Sequence, residues 1–416
     1  MLLTNAKLYG QEGRWDIEIQ DGRFKKISTS EGQKQDESAI DLKGKIVLPP
    51  YVEPHIHLDY ALTAGTPRWN QTGSVFEGIE IWAERKQLVD ESIEDIKQRA
   101  KNALKMQIKH GIQHVRTHVD VGDPELKGMK ALLEVKEEIK PWVDLQLVAM
   151  PQEGLYTKPD AERLLIEAIE MGADVIGGIP HYELTREDGV RSVHRILELA
   201  EKYDKLVDVH CDEIDDDQSR YLEVLAGEAL KRGIGHRVTA SHTTAMASYS
   251  NAYTYKLFQT LKKAGIHFVA LPKANLHLQG RFDDYPVRRG LTRVKEMLHE
   301  GINVSFGLDS IMDPWYPLGD GNLMHVTEIG LHACHMTDYD HIVSALNLIT
   351  INGAKTLGIE ELYGIEQGNK ANLIVIDSES EYEAIRTQAP VLYSIREGEI
   401  IVETKPAETK MNIEMD

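Results

Sequence analysis

The sequence holds little that would cross-link the chain or fix it in a membrane. Its two cysteines, Cys211 and Cys334, stand far apart and form no Cys-x-x-Cys pair. No disulfide framework follows, and a reducing compartment, the cytoplasm by default, is expected. No run approaches the roughly 18 apolar residues of a membrane helix. Met1–Ala6 lacks the basic-then-apolar layout of a secretory signal. Positive charge is also short: the formal net charge is −20, which argues against a nucleic-acid partner. Arg288 and Arg289 make too small a basic patch to change that. No Gly-x-Gly-x-x-Gly follows a strand-like run and no Gly-x-x-x-x-Gly-Lys-Ser/Thr occurs, so a nucleotide-phosphate cradle has no support.

What is present suits a folded enzyme-sized protein. The 416 residues are 42% hydrophobic and 27% charged, enough for a large barrel plus a smaller unit. Both ends read as strands. Trp15–Ile19 alternates and Lys45–Leu48 runs into two prolines. Near the other end Ala371–Ile376, Val391–Ile395 and Glu399–Val402 are strand-like. Neither end buries a strand face well alone, so residues 1–48 and 360–416 are expected to pair into one small β-sandwich domain.

Residues 49–359 alternate short apolar runs with helical segments. The runs are 113–119, 143–150, 175–179, 206–209, 237–240, 266–271 and 302–306, preceded by one ending near His57. Ile96, Ala100, Ala103 and Leu104 form a stripe of period 3.6, as do Val193, Ile196, Leu197 and Ala200. Helical runs stop at Gly111, Gly172, Gly265 and Gly301. Eight strand–helix units in this span predict a closed (β/α)8 TIM-like barrel.

Functional side chains of such a barrel come from the C-terminal ends of its strands. The first end reads Glu53-Pro54-His55-Ile56-His57, and histidines at i and i+2 on a strand share a face. The fifth supplies His210 with Glu213 just beyond, the sixth His242, the eighth Asp309. His55, His57, His210 and Asp309 suit one divalent ion, Fe²⁺ or Zn²⁺, with positions left for water. Glu213 and His242 remain for proton traffic. Asp174–Glu183 has no lysine to carry a bridging carbamate, so a mononuclear site is expected. His118 and Asp120 are read as supporting residues. Cys211 is expected to face away from the mouth.

These strand ends resemble the amidohydrolase superfamily, and the resemblance narrows to the bacterial cytosine deaminases over nearly the whole chain. The segments 52–59, 76–80, 111–121, 151–154, 208–216, 239–245, 277–282 and 313–319 carry it. The resemblance implies a metal-dependent hydrolytic deaminase of a small pyrimidine, with His55, His57, His210 and Asp309 as metal ligands. It further implies that Glu213 moves a proton to ring N3, that His242 and Asp309 orient and deprotonate the water, and that hydroxide attacks C4. Gln152 matches the residue reading the ring's amide edge, and Trp315 an aromatic wall. A homo-oligomer is the family expectation. His277 lies in a matching loop without an assigned role.

Three positions depart from the cytosine-specific pattern: Ser310 replaces a second Asp after Asp309, Met150 an aromatic, and Leu308 a histidine. They suggest more room near C5 of the ring, and hence activity on 5-substituted cytosines such as 5-methylcytosine as well as cytosine. Other amidine rings (isocytosine, isoguanine, creatinine, an aminotriazine) would use the same machinery. A non-catalytic scaffold would have lost a ligand or Glu213.

Overall fold

The computed structural model describes residues 1–30 and 39–412; residues 31–38 and 413–416 of the two terminal stretches lie outside the described residues. Five strands come first: β1 (Leu2–Leu8), β2 (Trp15–Gln20), β3 (Arg23–Thr29), β4 (Ile40–Asp41) and β5 (Ile46–Leu48). Eight follow: β6 (Tyr51–His57), β7 (Ile112–Asp120), β8 (Asp144–Met150), β9 (Val175–Gly178), β10 (Leu206–Cys211), β11 (Val238–His242), β12 (His267–Ala270) and β13 (Val304–Phe306). The last three are β14 (Leu373–Ile376), β15 (Val391–Arg396) and β16 (Glu399–Glu403).

β6 to β13 pair in chain order, each parallel to the next, with helices in every crossover. All eight expected strand segments are therefore present. The helix Ile93–Lys109 shows why these stretches coil where they do. Ser92 and Asp95 form a reciprocal cap at its start, and Ile96, Ala100, Ala103 and Leu104 bury its inner stripe.

Strand alternation divides inside from outside. On β10, Val207, Val209 and Cys211 join the apolar core outside the strands, while Asp208 and His210 turn to the barrel axis. Barrels of this kind usually fill their axis with Val, Ile and Leu. This axis is polar: the buried Arg116 reaches Asp208 Oδ2, Gln146 Oε1 and the Thr356 carbonyl, each at 3.0 Å.

β13 stops at Phe306, short of the mouth, and the barrel closes beyond it. Asp309 bridges to Ile56, with its N–H donating to the His55 carbonyl (2.9 Å) and its carbonyl accepting from His57 N–H (3.1 Å). The buried Glu53 carboxylate reinforces this seam by accepting from His55 N–H (2.8 Å) and Leu308 N–H (3.0 Å). Gly307 is needed here, because a Cβ would stand 2.9 Å from Glu53 Oε1.

The chain ends meet as expected, with one refinement. The layers of the expected sandwich are one hydrogen-bonded sheet of order β16-β15-β14-β5-β1-β2-β3, with β4 on β1. Its core draws Leu3, Ile17 and Phe24 from the N-terminal strands and Val375 and Ile395 from the C-terminal ones. β5 and β14 join the two ends in antiparallel register, Val47 opposite Val375. Both strands are buried on both faces. Val47, Leu373 and Val375 serve the sheet's core, whereas Ile46, Leu48, Ile374 and Ile376 serve the barrel's. That double burial explains their continuous apolar sequences.

Ile374→Ala should leave a cavity in this shared wall and cost about 2–5 kcal/mol, read as a fall in the urea midpoint at unchanged slope. A loss below about 0.5 kcal/mol, typical of surface positions, would contradict the shared core.

Candidate active site

The expected residues arrive at the mouth from four directions. His55 and His57 end β6, His210 is next to last on β10, Glu213 stands two residues past it, and His242 ends β11. Asp309 sits on the closing seam. Asp212, His242, Thr243 and Asp309 all adopt φ between +48° and +66°, a conformation L-residues avoid unless the surroundings hold it. His242 and Asp309 so placed bring their side chains to the centre, whereas Asp212 accepts from the N–H groups of Tyr221 and Leu222 and Thr243 bonds Thr292.

Their polar atoms converge. Asp309 Oδ1 lies 3.3 Å from His55 Nε2, 3.6 Å from His57 Nε2 and 4.0 Å from His242 Nε2. His57 and His210 bring their Nε2 atoms within 3.1 Å. Donor atoms of His55, His210, His242 and Asp309 all fall within 4.8 Å of one another, a group that contains His242 and leaves out the expected His57. His242 is distinguished from the other imidazoles by its Nδ1, which lies 3.0 Å from Glu213 Oε1 and 3.1 Å from Asn275 Nδ2.

The donor set fits a divalent cation. Nε2 of His55 and of His242 are buried without a hydrogen-bond partner, a cost that a shared cation removes. Burial, aided by their mutual repulsion, holds His55, His57 and His210 well below the usual imidazole range, so their nitrogen lone pairs are free to ligate. Burial likewise pushes the Asp309 carboxyl up, against the pull of His242. His242 differs: burial opposes its charge, but Glu213 and Asp309 outweigh it and raise its pKa.

The substrate-side residues surround this centre less closely. Gln152 is buried, its N–H is 3.4 Å from Asp120 Oδ1, and its carboxamide oxygen has no partner. Trp315 packs against the Tyr60 ring at 4.6 Å, and Tyr60 in turn lies flat on His57 at 4.5 Å. Gly78 makes room for Trp315, since a Cβ there would stand 2.5 Å from the indole. Met150, fully buried, ends β8. Ser310 is buried and hydrogen-bonds Asp313, whose carboxylate accepts from Trp315 and Tyr316 N–H. Leu308 is corrected: it packs in the large apolar core outside the strands and does not shape the mouth.

A cavity of about 280 Å³ opens beside Glu213, lined also by Val75, Phe76, Leu278, Gln279 and Phe282. A second, of about 290 Å³, lies near Trp82, Asp120 and Glu153 and contains none of the converging donors. His277 bonds Arg281 and packs against Tyr316 at the rim. Cys211 faces the outer core as expected, and burial keeps its thiol well above the usual range. His118 lies inside the cluster, 4.0 Å from the His55 ring; neither nitrogen makes a hydrogen bond, and Nε2 stands 3.8 Å from Asp208 Oδ1.

Several residues of the site were not singled out by sequence: Glu53, Asn275, Ser241, Asp208, Arg116 and His181. Ser241 Oγ stands 2.9 Å from His55 Nδ1. His181 follows β9, with a buried unpartnered Nδ1 and a pKa lowered to about 4 by burial. The legible signal was the polar member of each alternating pair, as in Asp208 and His210 on an otherwise apolar strand.

The chain is similar to several known proteins over nearly its full length. It is 52% identical to 5-methylcytosine deaminase from Klebsiella pneumoniae, whose crystal structure with 5-fluorocytosine aligns at a TM-score of 0.97 over 99% of each chain. A crystal structure of that protein with phosphonocytosine aligns equally well. N-isopropylammelide isopropyl amidohydrolase from Pseudomonas sp. (strain ADP) is 32% identical over 97% of each chain. A family model described as "Amidohydrolase family" matches residues 38–402. A match over that span, around a mouth built from strand-end histidines and one aspartate, means that the chain belongs to the amidohydrolase family.

Proposed function

We propose that this protein hydrolytically deaminates cytosines, 5-methylcytosine foremost, giving thymine (or uracil from cytosine) and ammonia. The observation that carries the reading is the Glu213–His242 pair, 3.0 Å apart, set against the converging Nε2 and carboxylate donors. The 52% identity to a 5-methylcytosine deaminase supports the choice of ring.

His55, His57, His210 and Asp309 would hold one Fe²⁺ or Zn²⁺, which when bound supplies water acidified towards neutral pH. His242 also lies within reach of that ion; what sets it apart is Nδ1, 3.0 Å from Glu213, which gives it a carboxylate proton partner there that His55, His57 and His210 lack. The remaining work belongs to the side chains. Glu213 takes a proton released from the water and delivers it to ring N3, which turns C4 into an electrophile. His242, anchored by Glu213 and Asn275, orients the water and shares its proton with Asp309. Oxygen then bonds to C4, the second water proton passes from His242 and Asp309 to the amino nitrogen, and the C4–N bond breaks to release ammonia while N3 keeps its proton.

The buried carboxamide of Gln152, with its oxygen unpaired, can accept and donate at the N–H/C=O edge of the ring. Trp315 offers a flat apolar wall. Ser310 and Met150 bear on C5, one short and the other adaptable. The unpaired Cys211 and Cys334 suit a cytoplasmic setting, and a homo-oligomer is proposed on the family pattern alone. Among the described residues no helix is long and apolar enough to cross a membrane.

The direct test is ammonia release from cytosine, 5-methylcytosine and an N-alkylated aminotriazine, the last because of the Pseudomonas relative. The value of kcat/KM for 5-methylcytosine should at least equal that for cytosine, and Ser310→Asp should move the ratio towards cytosine. A preference of about a hundredfold for cytosine, more than one methyl group in a pocket usually decides, would overturn the C5 reading. Best activity on the triazine would overturn the pyrimidine.

Glu213→Gln should lower kcat by about 10²–10⁴-fold while metal content stays unchanged. Full activity in that variant would remove Glu213 from the proton path.

A further inference from the structure

His55 makes two polar contacts on opposite edges of its ring. Nε2 faces the centre, 3.3 Å from Asp309, and Nδ1 faces Ser241 Oγ at 2.9 Å. Behind Ser241 the contacts continue down the barrel axis. Ser241 Oγ donates to Asp208 Oδ1 at 2.6 Å, and Arg116 NH1 donates to Asp208 Oδ2 at 3.0 Å. All four residues are buried.

Counting protons along this chain fixes its direction. A guanidinium keeps its protons and only donates. Its 3.0 Å contact with Asp208 Oδ2 is an ion pair, and the carboxylate of such a pair only accepts. Ser241 has one hydroxyl hydrogen, and the carboxylate takes it. Only a lone pair then remains for His55, so Nδ1 must carry the ring's hydrogen. A neutral imidazole has one such hydrogen, and Nε2 is therefore bare where it meets the centre.

We propose that Arg116, Asp208 and Ser241 are positioning residues that lock His55 in the Nδ1–H tautomer and present its bare Nε2 to the metal. The inference rests on the metal-dependent reading of the site. An outer hydrogen bond of this kind sets both the orientation and the basicity of a ligating imidazole. The chain also accounts for an ion pair in a barrel axis that apolar side chains could fill. Such a pair is poor evidence for stability alone, and here it has a chemical use.

The test is a zinc titration of metal-stripped full-length protein in competition with a chromophoric chelator. Ser241→Ala should bind zinc about 10–100-fold more weakly than wild type. Its melting temperature without metal should fall no further than that of Ser305→Ala, which likewise strips partners from buried polar groups. Ser305→Ala removes another buried axial hydroxyl, one bonded to the Phe268 carbonyl and Thr356; it should leave zinc affinity unchanged. Wild-type affinity in Ser241→Ala, or equal weakening in Ser305→Ala, overturns the inference. Wild-type protein that fails to bind zinc or ferrous iron overturns the functional reading, and the inference with it.

Discussion

Two backbone hydrogen bonds at Asp309 close the eight-stranded barrel, and the arrangement of the mouth depends on them. They join the end of the last strand to β6 between His55 and His57. Closure and chemistry are thus placed by the same residues. The positive φ of Asp309 lets the chain bond β6 while its carboxylate turns inward. Glu53 locks the seam from within by holding the N–H groups of His55 and Leu308. A fault at this seam would displace donors from both sides of the centre together.

The polar barrel axis follows from the same constraint. The His55 ring needs hydrogen bonds on its far edge, and apolar layers cannot provide them. The axis supplies them through Ser241, Asp208 and Arg116, and the outer faces of the same strands carry the apolar burial instead. Period-2 alternation lets one short strand do both. β10 places Val207, Val209 and Cys211 outside and Asp208 and His210 inside.

Much of this was legible in the sequence because it is local. A histidine pair at i and i+2, glycines after helical stripes and apolar runs of strand length each report on a few neighbouring residues. The eight strands, the pairing of the two ends and the converging set of His55, His57, His210, His242, Glu213 and Asp309 could be read that way. What was missed depends on contacts between distant segments. Ser241 meets His55 across 186 residues and Asp208 across 33; alternation on β11 turns it to the axis, but only those distant contacts reveal its partners. Leu308 was misjudged for a different reason. Its role was taken from the family's histidine at that position, although alternation from Ser305 on the axis to Asp309 at the centre puts Leu308 on the outer face. The pairing of β5 with β14 that makes one sheet of two expected layers is, like the contacts of Ser241, one between distant segments, and no single strand's pattern contains it.

The central claim is that these strand-end donors form one metal-dependent deaminase centre per chain. Metal-stripped protein titrated with zinc or ferrous iron, with ammonia release from 5-methylcytosine followed at each addition, tests it most directly. Activity should be absent at the start, rise linearly and level off at one metal ion per chain. Activity that persists without metal, or that levels off only at two ions per chain, would contradict it.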